Sequence, residues 1–243
     1  MIKSRLETDL LGDKRIPENM YYGINTIRGF ENFNISNLTF TLPKGRILGV
    51  IGKNGAGKTT LIKLLLNMIT TDSGTITIFN KSNTIPSVKQ QIGISLDSTP
   101  FLPYWSADTI KNALSKFYYN WDYLVFNELL QRFNINRLQP IYQLSRGTQL
   151  KLMIAFAISH DAKLLVFDEP TSGLDIFARR EFIEIIQDFV TDGNRSVLFT
   201  THIIADVKEA ADFFACYTPE ADAAKDVEVN SVLLRRLIEG PGY

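Results

Sequence analysis

Gly52-Lys53-Asn54-Gly55-Ala56-Gly57-Lys58-Thr59 decides the reading of this chain. The order Gly, four residues, Gly-Lys-Thr is the pattern of a loop that cradles phosphate. Its flanks supply the context that pattern needs. Arg46-Ile47-Leu48-Gly49-Val50-Ile51 reads as a short buried strand, and Thr60-Leu61-Ile62-Lys63-Leu64-Leu65-Leu66-Asn67 as a helix. Glycine lets the backbone bend so that successive N–H groups point inward at phosphate oxygens. The N-terminus of the following helix adds partial positive charge. Lys58 is expected to reach the β- and γ-phosphates, and the Thr59 hydroxyl to face Mg²⁺.

The rest of the chain bounds the class. At 243 residues it is one large domain or two small ones. A 45% hydrophobic and 21% charged composition is that of a globular protein. Acidic and basic residues balance at 26 each, so no strong field points to nucleic acid. The single cysteine, Cys216, forms no internal disulfide and is read as a buried structural thiol. The start of the chain is charged and lacks the apolar core of a signal peptide. No run approaches the ~18 apolar residues of a spanning helix. Work at a membrane therefore requires spans from another chain.

Short strands alternate with helices beyond residue 38. Leu38-Thr39-Phe40-Thr41-Leu42 and Thr75-Ile76-Thr77-Ile78-Phe79 alternate as strands. Ile92-Gly93-Ile94-Ser95, Lys163-Leu164-Leu165-Val166-Phe167 and Ser196-Val197-Leu198-Phe199-Thr200 are further short strands. Phe126, Leu129, Leu130 and Phe133 share one helical face, as do Phe182, Ile185, Ile186 and Phe189. The aromatic run Phe117, Tyr118, Tyr119, Trp121 and Tyr123 is read as core or protein interface. This alternation implies an α/β fold with a mainly parallel sheet flanked by helices.

Four later stretches narrow the chemistry. Asp168 and Glu169 end an apolar strand, which delivers them to the C-terminal sheet edge. There Asp168 is suited to Mg²⁺ and Glu169 to polarising water. Pro170-Thr171-Ser172-Gly173-Leu174-Asp175 follows at once. His202 sits just past the next buried strand, where a γ-phosphate contact is needed. His160, in a loop before Asp161-Ala162, is read as a surface residue. Leu144-Ser145-Arg146-Gly147-Thr148-Gln149 opens a helix, and its Ser and Gly suit an anion.

Together these motifs resemble the nucleotide-binding domain of ATP-binding cassette (ABC) proteins over roughly residues 38–214. Residues 53–60 match the Walker A loop and 164–169 Walker B. Residues 144–148 match the family signature, 172–175 the D-loop, and His202 the switch histidine. The resemblance looks closest to bacterial ABC-2-type exporter ATPases, through the Phe117-Tyr118-Tyr119 run, the Ser145-Arg146-Gly147 signature and the stretch 175–206. It implies a P-loop NTPase fold with a helical subdomain at about 97–146. It also implies ATP and Mg²⁺ as cofactors. Gly52, Asn54, Gly55, Ala56, Gly57, Lys58, Thr59 and Thr60 would hold ATP, with Ser145 and Gly147 acting from a second ABC ATPase subunit. Thr59, Asp168 and Asp97 would stand around the metal. Glu169, His202 and Lys58 would carry catalysis. Asp97 takes the place of the Q-loop glutamine, Arg146 that of the commonest Gly, Thr148 that of Gln, and Ile176 that of a frequent Pro.

The implied function is ATP binding and hydrolysis that powers a separate transmembrane permease subunit. The chain would lie on the cytoplasmic inner face of the membrane, with residues 97–125 as docking surface. Two alternatives stand beside it: a soluble ABC ATPase with no transport role, and a weakly active cassette serving as a structural subunit of a heterodimer.

Both ends depart from the cassette pattern. Residues 7–36 resemble the N-terminal segment of aspartase and fumarase-type lyases, without any lyase catalytic motif. The favoured reading of residues 1–37 is an irregular extension. Phe30, Phe33 and Tyr22 are candidates for stacking on adenine. Past Phe214 no closing strand is legible, and within the tail 215–243 residues 230–238 read as a short helix.

Overall fold

The computed structural model describes residues 4–9, 12–17, 42–71, 74–96 and 100–217. Asp97, the three aromatic candidates for adenine and the expected tail helix lie outside the described residues, as does nearly all of the expected strand 38–42.

The described residues open with an antiparallel hairpin, β1 (Ser4–Asp9) and β2 (Gly12–Pro17), in register from Ser4 opposite Pro17 to Asp9 opposite Gly12. Over these residues the expected irregular extension is instead a hairpin, and the rest of residues 1–37 lies outside the described residues. These strands carry no run of alternating apolar residues, so the sequence gives no strand signal.

Strand β3 (Ile47–Gly52) leads through the glycine loop into α1 (Lys58–Leu65). Next come β4 (Thr77–Ile78) and β5 (Lys81–Ser82), a two-residue ladder closed by Phe79 and Asn80. Both turn residues have positive φ, 53° and 59°, the geometry of a type I′ hairpin turn. That turn cuts short the strand expected over 75–79. A short helix α2 (Pro86–Lys89) precedes β6 (Ile92–Ser95).

Helices then dominate. Ser106 caps α3 (Ala107–Leu114) by accepting from Thr109 N. Asp122 caps α4 (Tyr123–Arg132) by accepting from Leu124 N and Val125 N at 2.8 and 3.1 Å. Ser145 caps α5 (Arg146–Ser159), which leads into β7 (Leu164–Asp168). Asp175 caps α6 (Ile176–Val190) through Ala178 N at 2.9 Å. Strand β8 (Ser196–Thr201), α7 (Ile204–Ala210) and β9 (Phe213–Tyr217) close the described chain.

Five strands form one parallel sheet in the order β6-β7-β8-β3-β9. Strand β9 runs past Phe214, beyond which no closing strand is legible in the sequence. Asp212 seats it: its carboxylate accepts from Ile47 N at 2.9 Å and pairs with Arg46 at 3.1 Å. Alternate residues of each strand feed opposite cores. Leu48, Val50, Leu164, Val166 and Leu198 pack with Leu61, Ile62 and Leu65 of α1. Leu165, Phe167, Val197 and Phe199 pack on the other face with α5 and α6, in the same cluster that buries Phe126 and Leu130 of α4. Period-2 alternation thus makes these strands apolar on both sides.

The aromatic run divides by face. Tyr118 and Trp121 pack against the core, whereas Phe117 and Tyr119 are exposed. His160 corrects a second expectation, because it is 3% exposed rather than on the surface. It ends α5 stacked on Tyr118 with ring centroids 4.0 Å apart, and Phe156 meets it edge-on. Burial pushes its imidazole down to about 4, only partly offset by backbone hydrogen bonds.

The unfolded chain binds a proton on His160 at higher pH than the folded chain does. Stability contributed by the neutral ring is therefore present above the unfolded value near 6.5 and lost as pH falls towards 4. At about 1.4 kcal/mol per unit, we expect a loss of roughly 2–3 kcal/mol across that window. The His160→Phe variant, followed by denaturant titration at each pH, is expected to lose less; an unchanged slope would place the effect elsewhere.

Candidate functional site

The site forms where β3, β7 and β8 end at one sheet edge. Gly55 and Gly57 take positive φ of 81° and 103°, and this turns the loop's N–H groups inward. A Cβ at Gly55 would meet nothing within 4 Å, so the loop faces open space. Helix α1 starts without a side-chain cap and without an acidic residue in its first turn. Its leading N–H groups and positive dipole end are left to an anion. Gly52 ends β3, Ala56 and Lys58 are buried, and Asn54 and Gly55 are exposed at the rim, with Thr60 next to Thr59 in the first turn.

Lys58 is 6% exposed, with its ammonium 2.7 Å from Gly52 O and 3.0 Å from Lys53 O. The same ammonium lies 3.0 Å from Glu169 Oε1. That oxygen makes no hydrogen bond of good geometry, so the contact is ionic. The second oxygen, Glu169 Oε2, is 2.7 Å from His202 Nδ1. The structure therefore brings all three expected catalytic residues into one chain of contacts: Lys58, Glu169, His202.

The sheet order adds a residue that sequence reasoning missed. Strand β8 lies between β3 and β7, so Asp168 is not next to the loop strand. Thr200 of β8 stands opposite Asp168 on one side and Val50 on the other. Its hydroxyl donates to Asp168 Oδ1 at 2.6 Å and accepts from Glu169 N at 3.0 Å. Thr59 donates to Asp168 Oδ2 at 2.6 Å from the helix side. Glu169 has φ of +49°, an unfavourable value for a residue with a side chain, and the Thr200 contact holds its N–H there. The available signal was a polar residue ending the apolar run Val197-Leu198-Phe199, too common a pattern to single out.

These oxygens suit one cation. Among the described residues no group of three or more His, Cys, Asp and Glu is placed to hold a metal. Thr59 Oγ1 and Asp168 Oδ2 instead form a two-oxygen set at the loop. Mg²⁺ takes such sets, filling its remaining positions with water and substrate phosphate.

Ser145 and Gly147 stand apart from this arrangement. Ser145 caps α5, its hydroxyl 2.8 Å from Thr148 Oγ1. With Ala178 and Glu181 they line a cavity of about 70 Å³ between α5 and α6, to which no phosphate-loop residue contributes. A Cβ on Gly147 would come within 3.3 Å of Ala178 Cβ. Gly173 takes φ of +72°, and a Cβ built there would lie 3.6 Å from Arg146 Nη1, an ordinary contact distance.

The Thr200 links carry a measurable cost when removed. Thr200→Val keeps the shape but strands a buried carboxylate oxygen and a backbone N–H. Unfolding free energy is expected to fall by roughly 1.5–3 kcal/mol in denaturant titration; a loss below about 0.5 kcal/mol would show that the hydroxyl does not anchor Asp168.

Comparison with known proteins places this geometry. The family model for "ABC transporter" matches residues 35–172. The ABC transporter ATP-binding protein YtrB of Bacillus subtilis is 31% identical over 176 residues, which span 72% of this chain but only 60% of YtrB. The lantibiotic transport ATP-binding protein SrtF of Streptococcus pyogenes is 31% identical over 195 residues, 79% of this chain and 80% of SrtF. A solved ATP-binding cassette, dimeric in a post-hydrolysis state with ADP and Pi, superposes with a TM-score of 0.64 at 18% identity, covering 74% of this chain and 84% of its own. None of these is a lyase and the family match begins at residue 35, so the lyase likeness of residues 7–36 gains no support. The parallel sheet, the glycine loop and the paired acids at its edge are those of a P-loop ATPase, and the chain belongs to the ABC transporter family as one of its ATP-binding cassettes.

Proposed function

We propose that this chain hydrolyses ATP to power a separate membrane permease, paired head to tail with a second cassette. The observation that carries the reading is Glu169, set between the Lys58 ammonium at 3.0 Å and His202 Nδ1 at 2.7 Å at the mouth of the phosphate loop. The loop N–H groups and Lys58 would grip the β- and γ-phosphates. Mg²⁺, held by Thr59 and Asp168, would neutralise charge on those phosphates. Water attacks the γ-phosphorus, the bond to the ADP oxygen breaks, and Glu169 takes the water's proton as base. His202 orients Glu169 and faces the γ-phosphate. Asp97 is proposed beside the metal from its sequence position alone.

A second cassette completes the site. Ser145 and Gly147 line a cavity without any phosphate-loop residue, which supports their acting on the partner's ATP. The dimeric state of the solved cassette above supports the same arrangement. Loss of γ-phosphate contacts on hydrolysis would reopen the pair. Among the described residues no helix is long and apolar enough to cross a membrane. By the resemblance to ABC transporter cassettes, the chain would attach to the inner face through its permease. Tyr104, Phe117, Tyr119 and Leu124 are large apolar side chains between 69% and 89% exposed in the region proposed for docking. An exporter is the direction we favour, on the signature form Ser145-Arg146-Gly147. The balanced charge gives no support for a nucleic-acid partner.

Glu169→Gln is expected to bind ATP as the parent does while turnover falls by roughly 10²-fold or more. Parent-like hydrolysis by that variant would remove Glu169 from its role as base. Affinity purification of the tagged chain from detergent-solubilised membranes is expected to bring down a multi-span protein. Recovery with ribosomes or DNA instead would replace transport by the soluble reading.

A further inference from the structure

We propose that Asp206 is a positioning residue that keeps the turn bearing Glu169 and the strand end bearing His202 in register. Asp206 lies on the first turn of α7 and is 1% exposed. Its Oδ2 accepts a short hydrogen bond from Thr171 Oγ1 and a longer one, 3.4 Å, from Thr201 Oγ1. Thr201 in turn accepts from Ile203 N at 2.9 Å, spanning His202. Across from Oδ1, Arg179 Nε of α6 stands at 3.6 Å, an ion pair without a direct hydrogen bond. Thr171 and Thr201 are both fully buried.

The positions of these partners give the carboxylate its role. Thr171 lies two residues beyond Glu169, and Thr201 immediately precedes His202. One buried oxygen atom therefore holds both short segments whose side chains meet at 2.7 Å. The third partner, Arg179, sits in the first turn of the helix that follows residues 172–175. A shift of that helix would be passed to Asp206 and from there to both site residues. Neither backbone segment has a ladder partner of its own at this point: Glu169 lies past the end of β7 and His202 past the end of β8. A side-chain tie supplies what the sheet no longer does. A buried charge needs its partners in good geometry, so the carboxylate resists alternative placements of both segments.

The inference rests on the proposed roles of Glu169 and His202, and its test separates the two. Asp206→Asn keeps an acceptor for the threonines and removes the charge that faces Arg179. Thr171→Val removes one hydroxyl and leaves the carboxylate in place. Each is made in the parent and in His202→Ala, using the full chain, with ATP affinity by calorimetry and turnover by phosphate release. In the parent, kcat is expected to fall roughly tenfold or more with affinity little changed. In His202→Ala the same substitutions are expected to change kcat by less than about twofold, since the geometry they protect is already gone. Equal losses in both backgrounds, no loss in either, or parallel loss of affinity and melting temperature would each overturn the proposal. Should Asp206→Asn fail to fold, the Thr171→Val pair decides the matter. The Glu169→Gln control distinguishes the failures: if it retains parent turnover, the assigned base is wrong while the His202 cycle still reads Asp206.

Discussion

Asp168 is a carboxylate 3% exposed, and the site depends on how it is held. It accepts one hydroxyl from the helix after the phosphate loop and one from the strand between the two motif strands. Those two bonds tie β7 and β8 to α1 at their C-terminal ends. A buried carboxylate without such partners would carry a large desolvation penalty. The same two bonds fix the distance from the acid pair to the loop. Because Thr200 also receives the Glu169 N–H, the next residue is held in a backbone conformation it would otherwise avoid. The base candidate is thus aimed by strain that neighbouring hydrogen bonds sustain.

The electrostatics follow from that framework. Lys58 is nearly buried, yet its charge is met by two backbone carbonyls of its own loop and by the carboxylate of Glu169. Ser145 and Gly147 are seated on a different helix pair, and under the proposed pairing with a second cassette the chain would hold two half-sites rather than one whole site.

The helical segment between β6 and β7 divides its aromatic residues between core and surface. Trp121 packs with Phe126 and Phe156, its centroids 5.3 and 5.0 Å away, and Tyr118 stacks on His160. These rings weld the segment to the sheet's core. Their sequence neighbours Phe117 and Tyr119 point outward, 69% and 89% exposed.

Much was legible in the sequence because it is local. The glycine loop, its strand and its helix are contiguous, so one pattern contains both the bend and the lysine it presents. The apolar strand ending in Asp168 and Glu169 was equally readable, since an acid pair after the four buried residues Leu164–Phe167 has few other uses. Caps such as Asp122 and Asp175 lie within three residues of the groups they bond. What the sequence could not supply was strand order. With β8 between β3 and β7, Thr200 becomes the bridge between acid pair and loop, and nothing near residue 200 announces this. His160 and Asp206 were hidden for the same reason, as their partners lie in segments 42 and 35 residues away. Chain-local chemistry determined which groups this protein carries. The tertiary structure decided which of them meet, because contacts between distant segments are set by the stacking of strands and helices and not by spacing along the chain.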